Sequence, residues 1–346
     1  LLINKYIKPL VTKTKEALAL KDDVAVINNQ KQQFSQVITT DCMLEGVHFF
    51  KGENPKSIAY RLMLSNLSDL ASKGATPKFF TLTFCPKNIK DLNHLWLETF
   101  FNTIKEFQQK YKIKLIGGNT ASTTSTLMLS VTLIGEVSKK SNLPFRFKAK
   151  ANDLIFISGS LGNAFLGYSI IASQMGLIST PSWLSFLNNK EIDYLINSYY
   201  YPKAMLALGK DLLGISKAST DASDGAMLAI NNICEASHLR AKVTIPLQAF
   251  SKVTQKILKI LQEDSIQILP NLINWGGDYN LVFSIPKNKT ALINKLNNKY
   301  ITKSLAITKV GELINNNNNK NYANNFLTID FNNKQIDLDL TKNIHK

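Results

Sequence analysis

Aspartate side chains lie in four short segments of this chain, at expected strand ends or on an expected helix. They are Asp22, Asp23, Asp41, Asp69, Asp221 and Asp224, and the hydroxyl residues Thr39 and Thr40 directly precede the third of them. One such aspartate alone is more often a turn former or a helix N-cap. Oxygen ligands without cysteine or histidine suit Mg²⁺, which keeps waters and bridges phosphates, better than Zn²⁺. Together the segments predict a magnesium centre.

The segment around Asp69 predicts a helix with a carboxylate beside its packed face. Asn66 and Asp69 are three residues apart, so they share one face of that helix. The positions expected to be buried are Ile58, Leu62, Leu67 and Leu70. Burying a carboxylate costs free energy unless it is paired, and a hard cation is a suitable partner. Asp69 is therefore a candidate metal ligand.

A second acidic turn, DASDG, precedes an apolar helical segment. Ser223 or Asp224 is placed to cap that helix, which leaves backbone N–H groups pointing outward from its first turn. Capping accounts for one of the carboxylates of Asp221 and Asp224, but not for both. The turn is therefore a second candidate for binding a metal or a phosphate.

Two glycine-rich segments, GGNT at 117–120 and SGSLGNA at 158–164, each follow an expected strand. Glycine lets a phosphate approach the backbone closely, although neither segment is a Walker loop or a GxGxxG fingerprint. Arg146 is a candidate phosphate contact, with a solvent-exposed linker arginine as the alternative. His48, between two apolar residues, is by itself typical of a buried histidine with satisfied hydrogen bonds.

The elements that position these residues follow from the apolar periodicity. Between residues 24 and 140, period-two and helical patterns alternate and predict an α/β or α+β unit. Strands are expected over 24–27, 37–40, 81–84 and 127–137, and helices over 57–73 and 91–112. In the second helix Asp91 is the expected N-cap. Its expected apolar stripe comprises Leu95, Phe100, Ile104 and Phe107.

A length of 346 residues favours two domains, expected at 1–145 and 146–346. The second domain opens with the apolar strand DLIFISG, followed by a helix. Further strands are expected over 217–220, 279–285 and 326–331, and a helix over 226–237. The asparagine run 315–319 is expected to be an exposed loop. The predicted fold class is α/β (α+β), with a sheet-and-helix N-terminal domain and an α/β C-terminal domain.

Basic residues exceed acidic ones, with 41 Lys and Arg against 25 Asp and Glu, for a formal charge of +16. Such an excess can indicate nucleic acid, anionic membrane or phosphorylated ligands. The lysines are spread singly beside Asn and Ile, as an AT-rich genome tends to encode at tolerant surface positions. No basic stripe is interleaved with aromatic residues in the way of a strand-binding groove. We therefore expect no nucleic-acid partner.

The expected compartment is the cytoplasm. No apolar run approaches the ~20 residues of a membrane span, and the opening LLINKYIKPL interrupts its apolar start with Asn and Lys. The three cysteines, Cys42, Cys85 and Cys234, are widely spaced and form no CxxC pair. No membrane partner and no cysteine chemistry are expected.

Nine segments in order resemble the thiamine-monophosphate kinase family, within the aminoimidazole-ribonucleotide-synthetase-like ATP-binding superfamily. They are LKDDVAVI, TTDCMLEGVHFF, YRLMLSNLSDLASKGATPKFFTLTFCP, LIGGNT, LIGEV, DLIFISGSLGNAFLGY, YPKAMLALG, STDASDGAMLAINNICEAS and WGGDYNLVFSIP. They cover roughly residues 20–312. The segments containing TTDCMLEGVHF and NLSDLASKGATP are the most specific.

The resemblance implies a role for each matching position. The implied metal ligands are Asp23, Thr39, Thr40, Asp41, Asp69, Asp221 and Asp224. The implied ATP contacts are Gly118, Asn119, Arg146 and Ser223, and His48 is the implied thiamine-phosphate contact. The resemblance also implies direct transfer of the ATP γ-phosphoryl group to thiamine monophosphate with Mg²⁺, no covalent nucleophile, and a homodimer formed through the N-terminal sheet.

Three positions depart from the family pattern. The GDD opening is Lys21-Asp22-Asp23, and the GGD motif ends in Asn119 instead of a metal-binding carboxylate. Gly277 stands where the family has a substrate-contacting glutamate. Because an amide neutralises less charge than a carboxylate, reduced activity is an implied outcome.

Other interpretations are a superfamily kinase or synthetase with another acceptor, and a decayed ATP-binding protein kept for an interaction. Selenophosphate synthetase is disfavoured because no cysteine lies in a glycine-rich stretch before Asp22, and a hydrogenase-maturation relative because the chain ends without cysteine. Nucleic-acid binding would rest on charge alone.

Overall fold

The computed structural model describes residues 3–28, 33–301, 305–316, 327–331 and 334–338. These residues form two compact units. The first comprises Leu1–Asn142 with Leu206–Lys210, and the second comprises Leu143–Met205 with Asp211–Lys346. Both contain sheets and helices, which confirms the predicted mixed α/β fold class with two domains. The predicted division into domains at 1–145 and 146–346 stays a prediction.

The first unit is built on a five-stranded sheet in the order β1-β2-β5-β3-β4. Its strands are β1 (Ala25–Asn28), β2 (Phe34–Leu44), β3 (Thr76–Cys85), β4 (Lys114–Thr120) and β5 (Met128–Ser138), and its long helices are α1 (Pro55–Ser72) and α2 (His94–Tyr111). β2 and β5 pair antiparallel along their whole length. Buried and more exposed residues alternate along both strands, as expected for a sheet with one packed face. The four strands predicted for this half are confirmed as β1, β2, β3 and β5, and β2 and β3 are longer than expected.

Helix α1 is fixed at both ends by local hydrogen bonds. At its start the side chain of Asn54 accepts from the Lys56 N–H group, directly before Pro55. At its end Gly74 adopts φ +61° and donates to a helix carbonyl, and the Ala75 N–H group donates to Leu70 O at 3.0 Å. This is a Schellman C-cap, which only glycine forms without backbone strain. Nearly all residues between these caps are buried.

Helix α2 begins later than predicted. The expected N-cap, Asp91, instead ends the short helical turn Ile89–Asp91. Asn93 caps the helix, because its side chain accepts from the Trp96 N–H group at 2.8 Å. Trp96 is the third residue of the helix, and an N-cap side chain accepts from the N–H group of the second or third residue, which has no acceptor within the helix.

The apolar stripe of α2 is shorter than predicted. Phe100, Ile104 and Phe107 are buried, but Leu95 is 71% exposed. Leu95 belongs to the first turn, where the helix leaves the packed face. The aromatic rings of Trp96 and Phe100 stack at 5.2 Å between their centroids and cover that end instead.

The second unit has a seven-stranded sheet in the order β12-β11-β8-β10-β6-β9-β7. Its strands are β6 (Leu154–Ser158), β7 (Ala218–Asp221), β8 (Leu239–Val243), β9 (Leu281–Ile285), β10 (Ile307–Asn315), β11 (Leu327–Phe331) and β12 (Lys334–Leu338). Helices are α3 (Asn163–Gln174), α4 (Asn189–Tyr200), α5 (Leu206–Leu212), α6 (Ala226–Ser237), α7 (Lys252–Leu261), α8 (Ser265–Asn274) and α9 (Thr290–Ile301). The first five residues of α5, Leu206–Lys210, belong to the first unit. The predicted helix over 226–237 matches α6.

The asparagine-rich segment is described only in part. Asn315 is the last residue of β10, and the predicted loop residues 317–319 lie outside the described residues. The last predicted strand corresponds to β11, whose first expected residue, 326, also lies outside them. All three cysteines are free. No helix in the described part of the chain is long and apolar enough to cross a membrane.

Candidate metal centre and nucleotide-binding residues

The first unit brings Asp23, Thr39 and Asp69 together. Asp23 lies just before β1, Thr39 is on the packed face of β2, and Asp69 is near the C-terminal end of α1. A carboxylate oxygen of Asp23 lies within 4.8 Å of one of Asp69. The Thr39 hydroxyl donates to Oδ2 of Asp69, which is only 8% exposed. Three separate elements therefore converge on one group of oxygen atoms.

Thr40 and Asp41 continue β2 beyond this group. The Thr40 hydroxyl lies on the opposite face of the sheet from Thr39, 3.0 Å from the Thr132 hydroxyl. Any metal contact by Thr40 would therefore use its main-chain oxygen. Asp41 is half-buried and lies on the same face as Thr39, because successive residues of a strand alternate. Its carbonyl accepts from the Ser130 hydroxyl at 2.8 Å.

The oxygen atoms of this group fit a hard cation. Asn66 is fully buried, three residues before Asp69 on the same helix face, and no hydrogen-bond partner is found for its Oδ1 among the described residues. A buried oxygen without a partner is rare and calls for an unseen ligand. Asp23, Asp69 and the Thr39 hydroxyl make an oxygen-only set of the kind that Mg²⁺ accepts.

Sequence reasoning missed a cation in this region, Lys73. Its side chain is fully buried, and Nζ lies 2.9 Å from Oδ1 of Asp22 and 3.8 Å from Oδ2 of Asp23. Lys73 follows Asp69 by four residues and Asn66 by seven, so all three share one face of α1. That spacing was the available signal, but a lysine at a helix end is usually solvated.

The turn after β2 presents His48. This residue is exposed, so the interpretation of a buried, satisfied histidine is wrong. Its Nδ1 accepts from the Leu44 N–H group at 3.0 Å, and its carbonyl accepts from Nη1 of Arg61 at 2.8 Å. Arg61 is in turn paired with the buried Glu53 at 2.5 Å. A buried ion pair therefore fixes the backbone of this turn.

The segment GGNT lies inside β4, not after a strand as expected. Gly118 pairs with Leu82 of the parallel strand β3, and a Cβ atom at Gly118 would lie 1.9 Å from the Leu82 carbonyl oxygen. Only glycine permits this approach of the two strands. Asn119 is exposed and pairs in register with Thr83. The strand therefore presents Asn119 to solvent on a fixed backbone.

In the second unit the turn DASDG follows β7. Asp221 is the last residue of β7 and is buried, and its Oδ1 accepts from the Ser223 hydroxyl at 3.3 Å. Gly225 occupies the N-cap position of α6 with φ +100°, and no side chain caps the helix. The expected capping by Ser223 or Asp224 is therefore wrong, because the N-cap is one residue later and is glycine.

Arg146 is anchored in the second unit. Its Nε and Nη2 donate to the Thr220 hydroxyl at 3.0 and 2.8 Å, and its carbonyl accepts from the Ser237 hydroxyl at 2.6 Å. The alternative of a solvent-exposed linker arginine is therefore wrong. The guanidinium is held against the strand that ends in Asp221.

The glycine-rich segment SGSLGNA leads into α3, where it meets a carboxylate that sequence reasoning did not single out. Asp278 accepts from the Gly162 N–H group at 2.6 Å and from the Ala164 N–H group at 2.8 Å. These are orphan donors of the helix N-terminus, and a carboxylate there is stabilised by the helix dipole. The protein's own Asp278 therefore occupies the N–H groups that a phosphate would otherwise use.

Asp278 gives a testable pH dependence of stability. Burial raises its pKa from 3.8 to about 7, although the N–H groups of Ala164, Gly162 and Asn163 oppose this shift. The folded state therefore holds the proton more tightly than the unfolded chain, so this contribution to stability declines as pH rises through about 7. We expect the urea midpoint of the wild type to fall relative to that of Asp278→Asn between pH 5 and pH 8. A difference between the two proteins that is constant with pH would contradict this.

Gly277, one of the three departures from the family pattern, lies in a tight turn. It adopts φ +76°, and its N–H group donates to the Ser223 carbonyl at 2.9 Å. A Cβ atom there would lie 3.1 Å from the Trp275 ring and 3.2 Å from Ala164 Cβ. A glutamate at this position would therefore require a change of the turn.

The chain is similar in sequence to known proteins over most of its length. The family described as AIR synthase related protein, N-terminal domain, matches residues 21–137. A thiamine-monophosphate kinase from Buchnera aphidicola is 32% identical over 309 residues, which is 88% of each chain. The chain belongs to the thiamine-monophosphate kinase family. Members from Haemophilus influenzae and Escherichia coli K12 are 31% and 30% identical over 82% and 80% of this chain. Membership makes the chain an enzyme of the kinase class.

Solved structures share the fold. AaThiL complexed with AMPPCP and TMP has a TM-score of 0.73 at 22% identity and covers 95% of this chain and 93% of its own. The hydrogenase maturation protein HypE from E. coli has a TM-score of 0.64 at 16% identity and covers 88% of this chain and 85% of its own. Since thiamine-monophosphate kinases and HypE share this architecture, the fold alone does not separate the family from its relatives. The sequence identity does.

Proposed function

We propose that this protein transfers the γ-phosphoryl group of ATP to the phosphate of thiamine monophosphate, giving thiamine diphosphate and ADP in the presence of Mg²⁺. The observation that carries the proposal is 30–32% identity to thiamine-monophosphate kinases over 80–88% of the chain. The Asp23 and Asp69 pair within 4.8 Å supports it, because joining two phosphates brings like charges together.

In the first unit the proposed Mg²⁺ ligands are Asp23, Asp69 and Asp41, with the hydroxyl of Thr39 and an oxygen of Thr40. Bound Mg²⁺ would neutralise the charge that accumulates as one phosphate attacks another. The Thr39 hydroxyl holds Asp69 through its donated hydrogen bond. The protein's own contribution is to fix these oxygen atoms in advance, so that little reorganisation is needed during transfer.

In the second unit Asp221 and Asp224 are the remaining proposed Mg²⁺ ligands, and Ser223 and Arg146 the proposed ATP contacts. Arg146 is held by two hydrogen bonds to Thr220, so its guanidinium offers a positioned charge to a phosphate oxygen. From the first unit, Gly118 and Asn119 are proposed to contact ATP. His48 is proposed to contact thiamine monophosphate, since it is exposed on a turn that Arg61 fixes.

Measuring ADP formation with and without thiamine monophosphate tests the proposal. We expect ADP to form with the acceptor and Mg²⁺, together with an equal amount of thiamine diphosphate. ADP formation that another acceptor supports better would favour the related kinase or synthetase. ATP binding without any single turnover of labelled ATP would favour a decayed ATP-binding protein.

We further propose that the protein is a homodimer through its N-terminal sheet. β4 is an edge strand of this sheet, and all seven of its residues are exposed. They include the apolar residues Leu115 and Ile116, and a long exposed apolar edge strand is normally covered. Static light scattering in solution measures the mass of the assembly.

Asn119→Asp is expected to lower the Mg²⁺ concentration that gives half-maximal activity, with kcat equal or higher. The family resemblance implies a metal-binding carboxylate at this position, and added negative charge near Mg²⁺ is favourable even at an effective dielectric of about 20. Asn119 is exposed and Asp is nearly isosteric, so the change is tolerated. If the Asp variant needs more Mg²⁺ than the parent, Asn119 does not face the metal ions.

A further inference from the structure

A buried lysine accompanies the candidate metal centre. The Lys73 side chain is 0% exposed, and its Nζ lies 2.9 Å from Asp22 and 3.8 Å from Asp23, whose side chains are 0% and 11% exposed. A desolvated ammonium is costly unless it is paired, so these two carboxylates offset the cost of burying Lys73.

The backbone fixes where this charge lies. Lys73 is the C-cap residue of α1, and Gly74 and Ala75 complete the Schellman motif that ends the helix. The negative end of the helix dipole lies at this terminus and favours a cation. The C-cap of α1 therefore fixes the position of the Lys73 ammonium, four residues beyond Asp69.

The charges in this region do not balance with Lys73 alone. Asp22, Asp23 and Asp69 carry three negative charges, and Lys73 supplies one positive charge, which leaves two negative charges among these four side chains. Asp22 receives the shorter contact, whereas Asp23 lies between Lys73 and Asp69. Asp23 is thus shared between a fixed protein cation and the place where a divalent ion would be held.

We propose that Lys73 is a positioning residue that acts as a permanent cation of the metal centre. Its ammonium pairs with Asp22 and holds the adjacent Asp23 in its ligating arrangement before Mg²⁺ binds, and it limits how tightly the carboxylates of Asp23 and Asp69 bind that ion. The inference rests on the proposed function, which makes these carboxylates Mg²⁺ ligands. The proposed role of Lys73 can be detected without ATP and without thiamine monophosphate.

The test is Mg²⁺ binding to the full chain without nucleotide, measured by titration calorimetry and by the thermal midpoint. For Lys73→Met we expect the midpoint in EDTA to fall by about 10 °C, because Asp22 loses its partner. We expect the Mg²⁺ dissociation constant to fall about tenfold or more, because a neighbouring positive charge is gone. Mg²⁺ should therefore raise the thermal midpoint of Lys73→Met by more than it raises the thermal midpoint of the wild type.

Three control proteins separate this role from simple packing. Lys73→Arg keeps the charge and is expected to retain Mg²⁺ affinity within about twofold, since guanidinium and ammonium carry the same charge. Lys78→Met removes a lysine whose side chain is 42% exposed, so it should change neither the thermal midpoint in EDTA nor the Mg²⁺ dissociation constant. Asp22→Asn combined with Lys73→Met removes both partners, so it should recover the midpoint while keeping the tighter Mg²⁺ binding.

The outcomes distinguish the inference from the proposed function. Unchanged Mg²⁺ affinity in both Lys73→Met and the double variant would overturn the role of Lys73 and leave the kinase proposal intact. Absence of Mg²⁺ binding by the wild type, with or without ATP, would overturn the metal centre itself. If Lys73→Met does not fold, the double variant alone decides, because it removes the charges of Asp22 and Lys73 together and so keeps the net charge of the wild-type group.

Discussion

Replacing Asp69 by asparagine is expected to lower kcat by about 10²- to 10³-fold while the protein stays folded. The Thr39 hydroxyl donates to this carboxylate, and an asparagine oxygen accepts the same hydrogen bond. The buried site therefore keeps its shape but loses one negative charge within 4.8 Å of Asp23. A metal centre that offsets phosphate repulsion depends on that charge, whereas a structural hydrogen bond does not.

The measurement is steady-state ADP formation with thiamine monophosphate over a series of Mg²⁺ concentrations. Asp193→Asn, on the exposed surface of α4, is the matched control and should leave kcat unchanged. Circular dichroism and the urea midpoint establish that both variants fold. An Asp69→Asn enzyme with wild-type kcat and wild-type Mg²⁺ dependence would remove Asp69 from the metal centre.

The sequence predicted the local part of this site well. Helical spacing in SNLSDLASKG placed Asn66 and Asp69 on one face of a packed helix, and the structure buries both. Period-two patterns predicted a strand over 37–40, which lies within β2. Such patterns are reliable because they depend on backbone geometry and on one buried face, which a single segment already encodes.

Caps were predicted less well, since several neighbouring residues can serve. The sequence predicted Asp91 as the cap of α2, and Ser223 or Asp224 as the cap of α6. The structure uses Asn93 for the first helix and glycine for the second. Which residue caps a helix depends on where the preceding chain enters it. A local sequence pattern does not define this point.

The buried charges were not predictable from local patterns. Lys73 and Asp22 are 51 residues apart, and Asp278 is more than 100 residues from the N–H groups that it accepts from. Each of these charged residues, taken alone, is of a type that usually lies on the solvated surface. Only the tertiary fold brings the partners together, so pairing between buried charges is information that a single sequence does not carry.

The same reasoning applies to Arg61, whose side chain is 7% exposed and pairs with a Glu53 side chain that is 1% exposed. Arg61→Met is expected to lower the free energy of unfolding by about 3–5 kcal/mol, because it leaves the Glu53 carboxylate buried without its cation. Lys256→Met removes one partner of a partly exposed pair, with Glu191 at 2.8 Å, and should lower the free energy of unfolding far less. Urea denaturation of both variants measures the contrast.

The Arg61 variant also tests how the His48 turn is held. Nη1 of Arg61 donates to the His48 carbonyl, so its loss frees the turn that is proposed to contact thiamine monophosphate. We expect the KM for thiamine monophosphate to rise while the KM for ATP changes little. Combining Glu53→Gln with Arg61→Met removes the stranded charge, so stability should recover in part while the KM for thiamine monophosphate stays high. If that KM returns to the wild-type value with stability, Arg61 supports the fold and does not position His48.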